Sequence, residues 1–346
     1  MKIIIDVMGG DNAPEAGVIG VLDAAAAMPE HSYIIVGREN EIRDTARAAC
    51  RETELDGIRI VHADGVITME DQPLSVVREK SDSSMAVGLR MLRDGEGDAL
   101  VSSGNTGALH AGSSLVVRRI RGVKRSAIAS VLPFARPMLL IDSGANIDGQ
   151  PAVMGSIYMK NVFGIESPQV GLLNNGTEEC KGGAMMVDTY KLLRGEPTIN
   201  FVGNVEAKAA PLGACDVLVT DGFTGNVFLK LSEGLGQYLL SCLKDCFTEN
   251  LVTKASALAM RGSLRRLRHS VDASEFGGAP LLGLSKPVLK THGSSDARAF
   301  VSTIKRAADF AGTGVHVEIA KWVEQDAARA KAAAEAEEAA KAAEAA

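Results

Sequence analysis

Short runs rich in Val, Ile and Leu alternate with longer amphipathic stretches from the N-terminus to about residue 220, and little else in the chain constrains its fold so tightly. Lys2–Val7, Tyr33–Val36, Ile58–His62, Ala99–Ser102, Ala127–Leu132, Met138–Asp142, Gln169–Leu173, Ile199–Val202 and Val217–Thr220 predict strands. None alternates cleanly between apolar and polar residues, which is the pattern of strands covered on both faces. Glu15–Met28, Asn40–Arg51, Ser83–Arg93, Asn105–Arg118 and Lys181–Leu193 predict helices between them. The alternation predicts an α/β fold, a mostly parallel sheet with helices on both sides. Ligands in such folds bind beyond the carboxyl ends of the strands.

Composition narrows the functional classes. Aromatic residues make up 4% of the chain, too few for a platform that stacks sugars or single-stranded bases. The net charge of −6 gives no general attraction to nucleic acid, so none is expected as a partner. Apolar residues, at 46%, are enough for a packed core, yet nowhere do roughly 18 run together as a membrane-spanning helix requires. The opening Met1–Asp6 reads as a strand, ended by Asp6 too soon for a signal peptide. Cys50, Cys180, Cys215, Cys242 and Cys246 form no CxxC pair. They read as reduced thiols of a cytoplasmic protein, with neither zinc nor a disulfide framework.

The sharpest motif is Ser102-Ser103-Gly104-Asn105-Thr106-Gly107, where a strand passes through a small polar turn directly into a helix. The first N–H groups of a helix lack intrahelical partners, and its dipole adds positive potential there. Ser103, Gly104, Asn105, Thr106 and Gly107 are therefore candidate phosphate ligands. The competing reading is an ordinary N-cap, since Ser, Thr and Asn are normal caps. Similar glycine-bearing turns follow other strands, at Asp142–Asn146, Asn174–Gly182 and Asp221–Asn226. Each alone is a turn or a cap; as strand ends of one sheet, the four are expected to meet in one crevice. The six histidines show no metal-ligand spacing, and only His292, in Thr291-His292-Gly293-Ser294-Ser295, sits in a polar glycine turn. No paired nucleophile and base is evident, which favours direct transfer between two bound substrates. No metal and no cofactor are expected.

Met8-Gly9-Gly10-Asp11, Ser103–Ala108, Asp142-x-Gly144-Ala145-Asn146, Phe201–Glu206, Asp221–Val227, Gly277–Gly283 and His292–Ser295 occur in one order between residues 3 and 312. This set resembles the acyl-carrier-protein-dependent phosphate acyltransferases known as PlsX. Asn175 departs from that pattern, which has an apolar or small residue between Asn174 and Gly176. The resemblance implies a three-layer αβα fold similar to the isopropylmalate dehydrogenases and phosphotransacetylases. It also implies a homodimer that makes acyl phosphate from inorganic phosphate and a fatty acyl-[acyl-carrier protein]. A membrane glycerol-3-phosphate acyltransferase would then consume the product for glycerophospholipid synthesis. The rivals are a short-chain phosphotransacylase using coenzyme A, a dehydrogenase of the isopropylmalate type, and a non-catalytic scaffold recruiting acyl-carrier protein.

In this reading phosphate attacks the thioester carbonyl, so the enzyme must position two reactants and stabilise an oxyanion. Lys181 or Lys230 is the expected cation for phosphate. Asn146, Asn174 and Asn226 are candidate donors to phosphate or to the carbonyl oxygen, and His292 is a candidate acid for the leaving thiolate. Residues 1–326 read as one α/β domain with a protruding helical arm at about 240–272, followed by an Ala/Glu/Lys-rich tail over 327–346. On the arm, Met260, Leu264 and Leu267 fall on one helical face beside Arg261, Arg265 and Arg268. A basic stripe next to an apolar one suits peripheral contact with an anionic membrane, and equally a dimer-packing helix.

Overall fold

A computed structural model describes residues 1–142, 149–264, 267 and 277–344. Among the described residues, eleven strands form one sheet in the order β3-β2-β1-β4-β11-β10-β5-β6-β9-β7-β8. They are β1 (Lys2–Asp6), β2 (Ser32–Gly37), β3 (Arg59–His62), β4 (Ala99–Ser102), β5 (Ala127–Pro133), β6 (Pro137–Asp142), β7 (Gln169–Asn174), β8 (Asn200–Glu206), β9 (Val217–Thr220), β10 (Ala279–Leu282) and β11 (Val288–Lys290). The nine strands predicted from sequence are all present, each displaced by only a residue or a few at its ends.

Successive residues of β1 show why its apolar run is unbroken. Ile3 and Ile5 enter one buried layer with helices α1 (Glu15–Ala27), α2 (Glu39–Ala48) and α5 (Gln150–Phe163). Ile4 enters the opposite layer with α3 (Ser84–Arg93) and α4 (Thr106–Gly112). A strand covered on both faces needs apolar residues at every position, so the expected layering of helix, sheet and helix is present. The predicted helix over 105–118 divides into α4 and a π-helical turn, Ser113–Arg118.

The direction of the strands corrects one expectation. β1, β2, β3, β4 and β11 are mutually parallel, as are β6, β7, β8 and β9. Between these sets, β10 is antiparallel to both β11 and β5, and β5 is antiparallel to β6. Three successive reversals make the second set run opposite to the first. Of the four glycine-bearing turns, the one after β4 therefore lies at one sheet edge and those after β7 and β9 at the other, while of the turn after β6 only Asp142 is among the described residues. Sheet twist, about 20–25° per strand pair, turns the two sets relative to one another.

Helix α6 (Ala184–Gly195) follows β7, and α7 (Gly222–Thr248) follows β9. Phe228 anchors α7 edge-on against Phe134, with ring centroids 6.1 Å apart. Beyond that anchor Leu231, Leu235, Tyr238 and Leu239 are exposed, and so are Leu251, Val252 and Leu258 of α8 (Leu251–Ala259). A capping box at Asn250 and Thr253 starts α8 afresh, so the helical arm is interrupted between Thr248 and Leu251. Helices α9 (Ala297–Gly312) and α10 (Val315–Glu344) complete the chain. Val315, Ile319, Trp322 and Val323 bury the first turns of α10, while the described residues after 326 are exposed.

Candidate active site

The site is built on the carboxyl ends of β1, β4 and β11, which lie side by side. Each strand runs into a glycine-bearing turn, and the three turns pack directly on one another. A Cβ on Gly9 would come within 2.5 Å of the Gly104 Cα, and one on Gly10, at φ +90°, within 2.8 Å of the Gly293 carbonyl. These glycines are therefore required by close backbone packing. Asp11 N–H donates to the Gly293 carbonyl at 2.8 Å, and the Ser103 hydroxyl donates to the Gly9 carbonyl at 2.6 Å.

Beneath the turns lies a charged network that sequence reasoning missed. Asp6, 1% exposed, accepts from Ser84 Oγ at 2.6 Å, from Ser102 Oγ at 2.7 Å and from Met8 N–H at 3.2 Å. Lys290, 9% exposed, donates to the carbonyls of Ser103, at 3.1 Å, and Thr291. Burial pushes the Asp6 carboxyl above its ordinary value, although its hydrogen bonds and Lys290 pull the other way. Burial pushes Lys290 down to about 8, while Asp6 and Asp11 oppose that shift and Lys230 adds to it. A charged residue closing an apolar strand is the only signal either left in the sequence.

The structure also revises the phosphate turn. Asn105 caps α4 through Ala108 N–H at 3.1 Å, and its amide nitrogen donates to the carbonyls of Thr68, Met69 and Asp71. Its side chain is spent on holding the 68–71 loop. The Ser103 hydroxyl is taken by Gly9, and the Gly104 N–H donates to Ser102 Oγ at 3.1 Å. Three groups expected to be free anion donors are thus structural. The exposed Thr106 hydroxyl and the first-turn N–H groups of Thr106 and Gly107 remain at the rim.

Across from this turn, Lys230 on α7 reaches His292, with Nζ 3.3 Å from Nε2. Lys230 also pairs with Glu233 at 2.9 Å, and His292 Nδ1 lies 2.8 Å from Ser294 Oγ. Ser294 N–H donates to Nδ1 at 3.3 Å, and an ammonium at Lys230 can only donate to Nε2, so both ring nitrogens face a donor and the two contacts call for opposite tautomers. α7 thus carries a cation from the second set of strands to the first. Asn226, exposed, lies one turn before Lys230 on the same helix face.

Asn174 and Lys181 are tied to each other after β7. Asn174 donates to the Lys181 carbonyl at 3.0 Å and to Asn204 Oδ1 at 3.1 Å, which folds the 174–182 loop onto β8. Lys181 lies 4.0 Å from Glu178. No hydrogen bond or ion pair among the described residues joins this cluster to His292 or Lys230. Asn146 lies outside the described residues, as do Arg265 and Arg268 of the basic stripe.

The fold is that of the phosphotransacetylases. A phosphotransacetylase from Streptococcus pyogenes superposes with a TM-score of 0.60 at 19% identity, covering 90% of this chain and 94% of that one. One from Staphylococcus aureus gives 0.56 at 16% identity, with 90% and 94% covered. The chain itself belongs to the family described as fatty acid synthesis protein, whose model matches residues 1–318. Within that class it is 45% identical over 320 residues to a phosphate acyltransferase of Acetivibrio thermocellus, covering 90% of this chain and 94% of the relative. It is 40% identical over 331 residues to one of Caldanaerobacter subterraneus subsp. tengcongensis, covering 94% and 98%. The resemblance seen in the motifs thus extends over nearly the whole chain, and the family is one of enzymes.

Proposed function

We propose that this chain transfers a fatty acyl group from acyl-[acyl-carrier protein] to inorganic phosphate, giving acyl phosphate and the free carrier thiol. The single observation that carries this reading is 40–45% identity to phosphate acyltransferases over 90–94% of the chain, and the Lys230–His292 pair is the site we assign to it. Phosphate sits between the Thr106 and Gly107 end of the α4 turn and the Lys230 ammonium. Its oxygen attacks the thioester carbonyl carbon, the C–S bond breaks, and Asn226 donates to the developing oxyanion. Hydrogen phosphate brings its own proton. His292 takes that proton and passes it to the leaving sulfur, so the products are acyl phosphate dianion and thiol. Positioning two reactants carries most of the rate enhancement in this scheme.

The test is a purified-enzyme assay with long-chain acyl-[acyl-carrier protein] and phosphate, trapping acyl phosphate with hydroxylamine. The expected result is product formation without added metal or nucleotide, undiminished by EDTA. Faster turnover of short acyl-coenzyme A thioesters would replace this reading by a phosphotransacylase. No acyl phosphate from either donor would leave a carrier-protein scaffold.

The arm supports two further parts of the reading. Phe223, Val227, Leu231, Leu235, Tyr238 and Leu239 are more than half exposed along α7, a long apolar surface that a second copy of the chain would cover as a homodimer. At its end, Leu251, Val252, Leu258 and Met260 are exposed beside Arg261, Leu264 and Leu267. Among the described residues no helix is long and apolar enough to cross a membrane. The arm tip is suited to resting on an anionic bilayer from the cytoplasmic side, where a membrane glycerol-3-phosphate acyltransferase would receive the acyl phosphate.

A further inference from the structure

One buried ammonium holds two backbone segments that the reaction needs in register. Lys290 Nζ donates to the Ser103 carbonyl at 3.1 Å and to the Thr291 carbonyl. The first belongs to the Ser103–Gly104 peptide, which leads into the turn bearing Thr106. The second belongs to the Thr291–His292 peptide, which carries the histidine. The Ser103–Gly104 peptide is held from its other end as well, because Gly104 N–H donates to Ser102 Oγ at 3.1 Å and Ser102 Oγ donates to Asp6 Oδ2 at 2.7 Å. Both polar ends of one peptide plane are thus clamped, so it cannot flip without leaving a buried charge underbonded. Lys290 lies on β11, whose register places it opposite Ser102 of β4. It is 9% exposed and its ammonium is committed to these carbonyls, so it faces the backbone beneath the site.

We propose that Lys290 is a positioning residue that sets the spacing between the Thr106 turn and His292, with Ser102 and Asp6 fixing the other end of the same peptide. This inference rests on the reading that His292 serves the acyl transfer. An ammonium can satisfy two carbonyls at once and keep a hydrogen to spare, whereas an apolar side chain of the same length would leave both carbonyls buried without a donor. The cost of losing it therefore falls on geometry, where displacements of about 1 Å reduce rates sharply.

The experiment is a double-mutant cycle on the full chain, with folding of each variant checked by circular dichroism and thermal melting. Lys290→Met is expected to lower kcat/KM for phosphate by about tenfold or more while the KM for acyl donor stays within about twofold. In a His292→Ala background the same substitution is expected to cost no more than about threefold, because the residue it positions is gone. A folded Lys290→Met enzyme within about twofold of wild type, alongside a weakened His292→Ala enzyme, would overturn the proposal and leave the role of His292 standing. A His292→Ala enzyme of undiminished activity would remove the role of His292, and the route from Lys290 through it goes too. An undiminished loss from Lys290→Met in the His292→Ala background also overturns the inference. Should Lys290→Met fail to fold, Ser102→Ala decides. It cuts the clamp from the N–H side and is expected to lower kcat/KM for phosphate several-fold, and no change would count against the inference.

Discussion

The side-chain nitrogen of Lys230 lies 3.3 Å from Nε2 of His292, although the two residues belong to oppositely directed halves of the sheet. Lys230 follows β9 on α7, and His292 follows β11 in a tight turn. In the proposed transfer the two act on one bound phosphate, so their substitutions should not be independent. Lys230→Met is expected to reduce kcat/KM for phosphate by about ten- to hundredfold, matching about 1.5–3 kcal/mol for a hydrogen bond to a charged group. His292→Ala should act mainly on kcat. The double variant should lose clearly less than the product of the two single losses, and strict multiplicativity in steady-state kinetics would separate the residues functionally.

Asn105 and Thr106 are adjacent in sequence but should behave differently. Asn105→Ala removes the α4 cap and the donor to three loop carbonyls, so a stability loss of about 2–4 kcal/mol is expected. Thr106→Ala touches an exposed hydroxyl at the rim and should leave thermal stability nearly unchanged while raising the KM for phosphate. Urea unfolding and phosphate titration of both variants check this. A stable Asn105→Ala protein with impaired phosphate use would return that amide to the anion site.

Lys290 should leave a signature in the pH dependence of stability. Its folded value is pushed to about 8, below the ordinary 10.5, with Asp6, Asp11 and Lys230 as its charged neighbours. Between those two values the unfolded chain binds more protons at this residue than the folded one, so its contribution to stability rises with pH. The penalty for burying the ammonium is at full size below pH 8 and fades towards 10.5. Relative to Lys290→Met, the wild type should therefore gain on the order of 2–3 kcal/mol between pH 7.5 and pH 10. Urea unfolding at the two pH values measures the difference directly, and a constant difference would mean that Lys290 is not desolvated.

The arm should bind membranes reversibly. Its exposed apolar residues and Arg261 predict sedimentation with anionic but not neutral liposomes, weakened by high salt and by Leu264→Glu. Each basic residue near the surface is worth about 1 kcal/mol, so a tenfold rise in salt should release much of the bound protein. Equal binding to both kinds of liposome would reduce the arm to a packing element between copies of the chain.

Local chemistry made much of this molecule legible in the sequence. Unbroken apolar runs such as Ile3-Ile4-Ile5 are what a strand buried on both faces demands, and the strands lie where those runs lie. Glycines at strand ends marked the turns, His292 stood out within a polar one, and the order of the motifs led to the family. The reversal through β10 and β5 was hidden, because strand direction depends on pairings between residues far apart in sequence. For the same reason only the tertiary structure brought Lys230 to His292 and tied Asn174 to Lys181 and Asn204. It also showed Asn105 spent on the 68–71 loop, and Asp6 and Lys290 buried beneath the turns that carry the site. A residue type states what its side chain can donate or accept; which partner consumes that capacity is decided by contacts that exist only once the chain has folded.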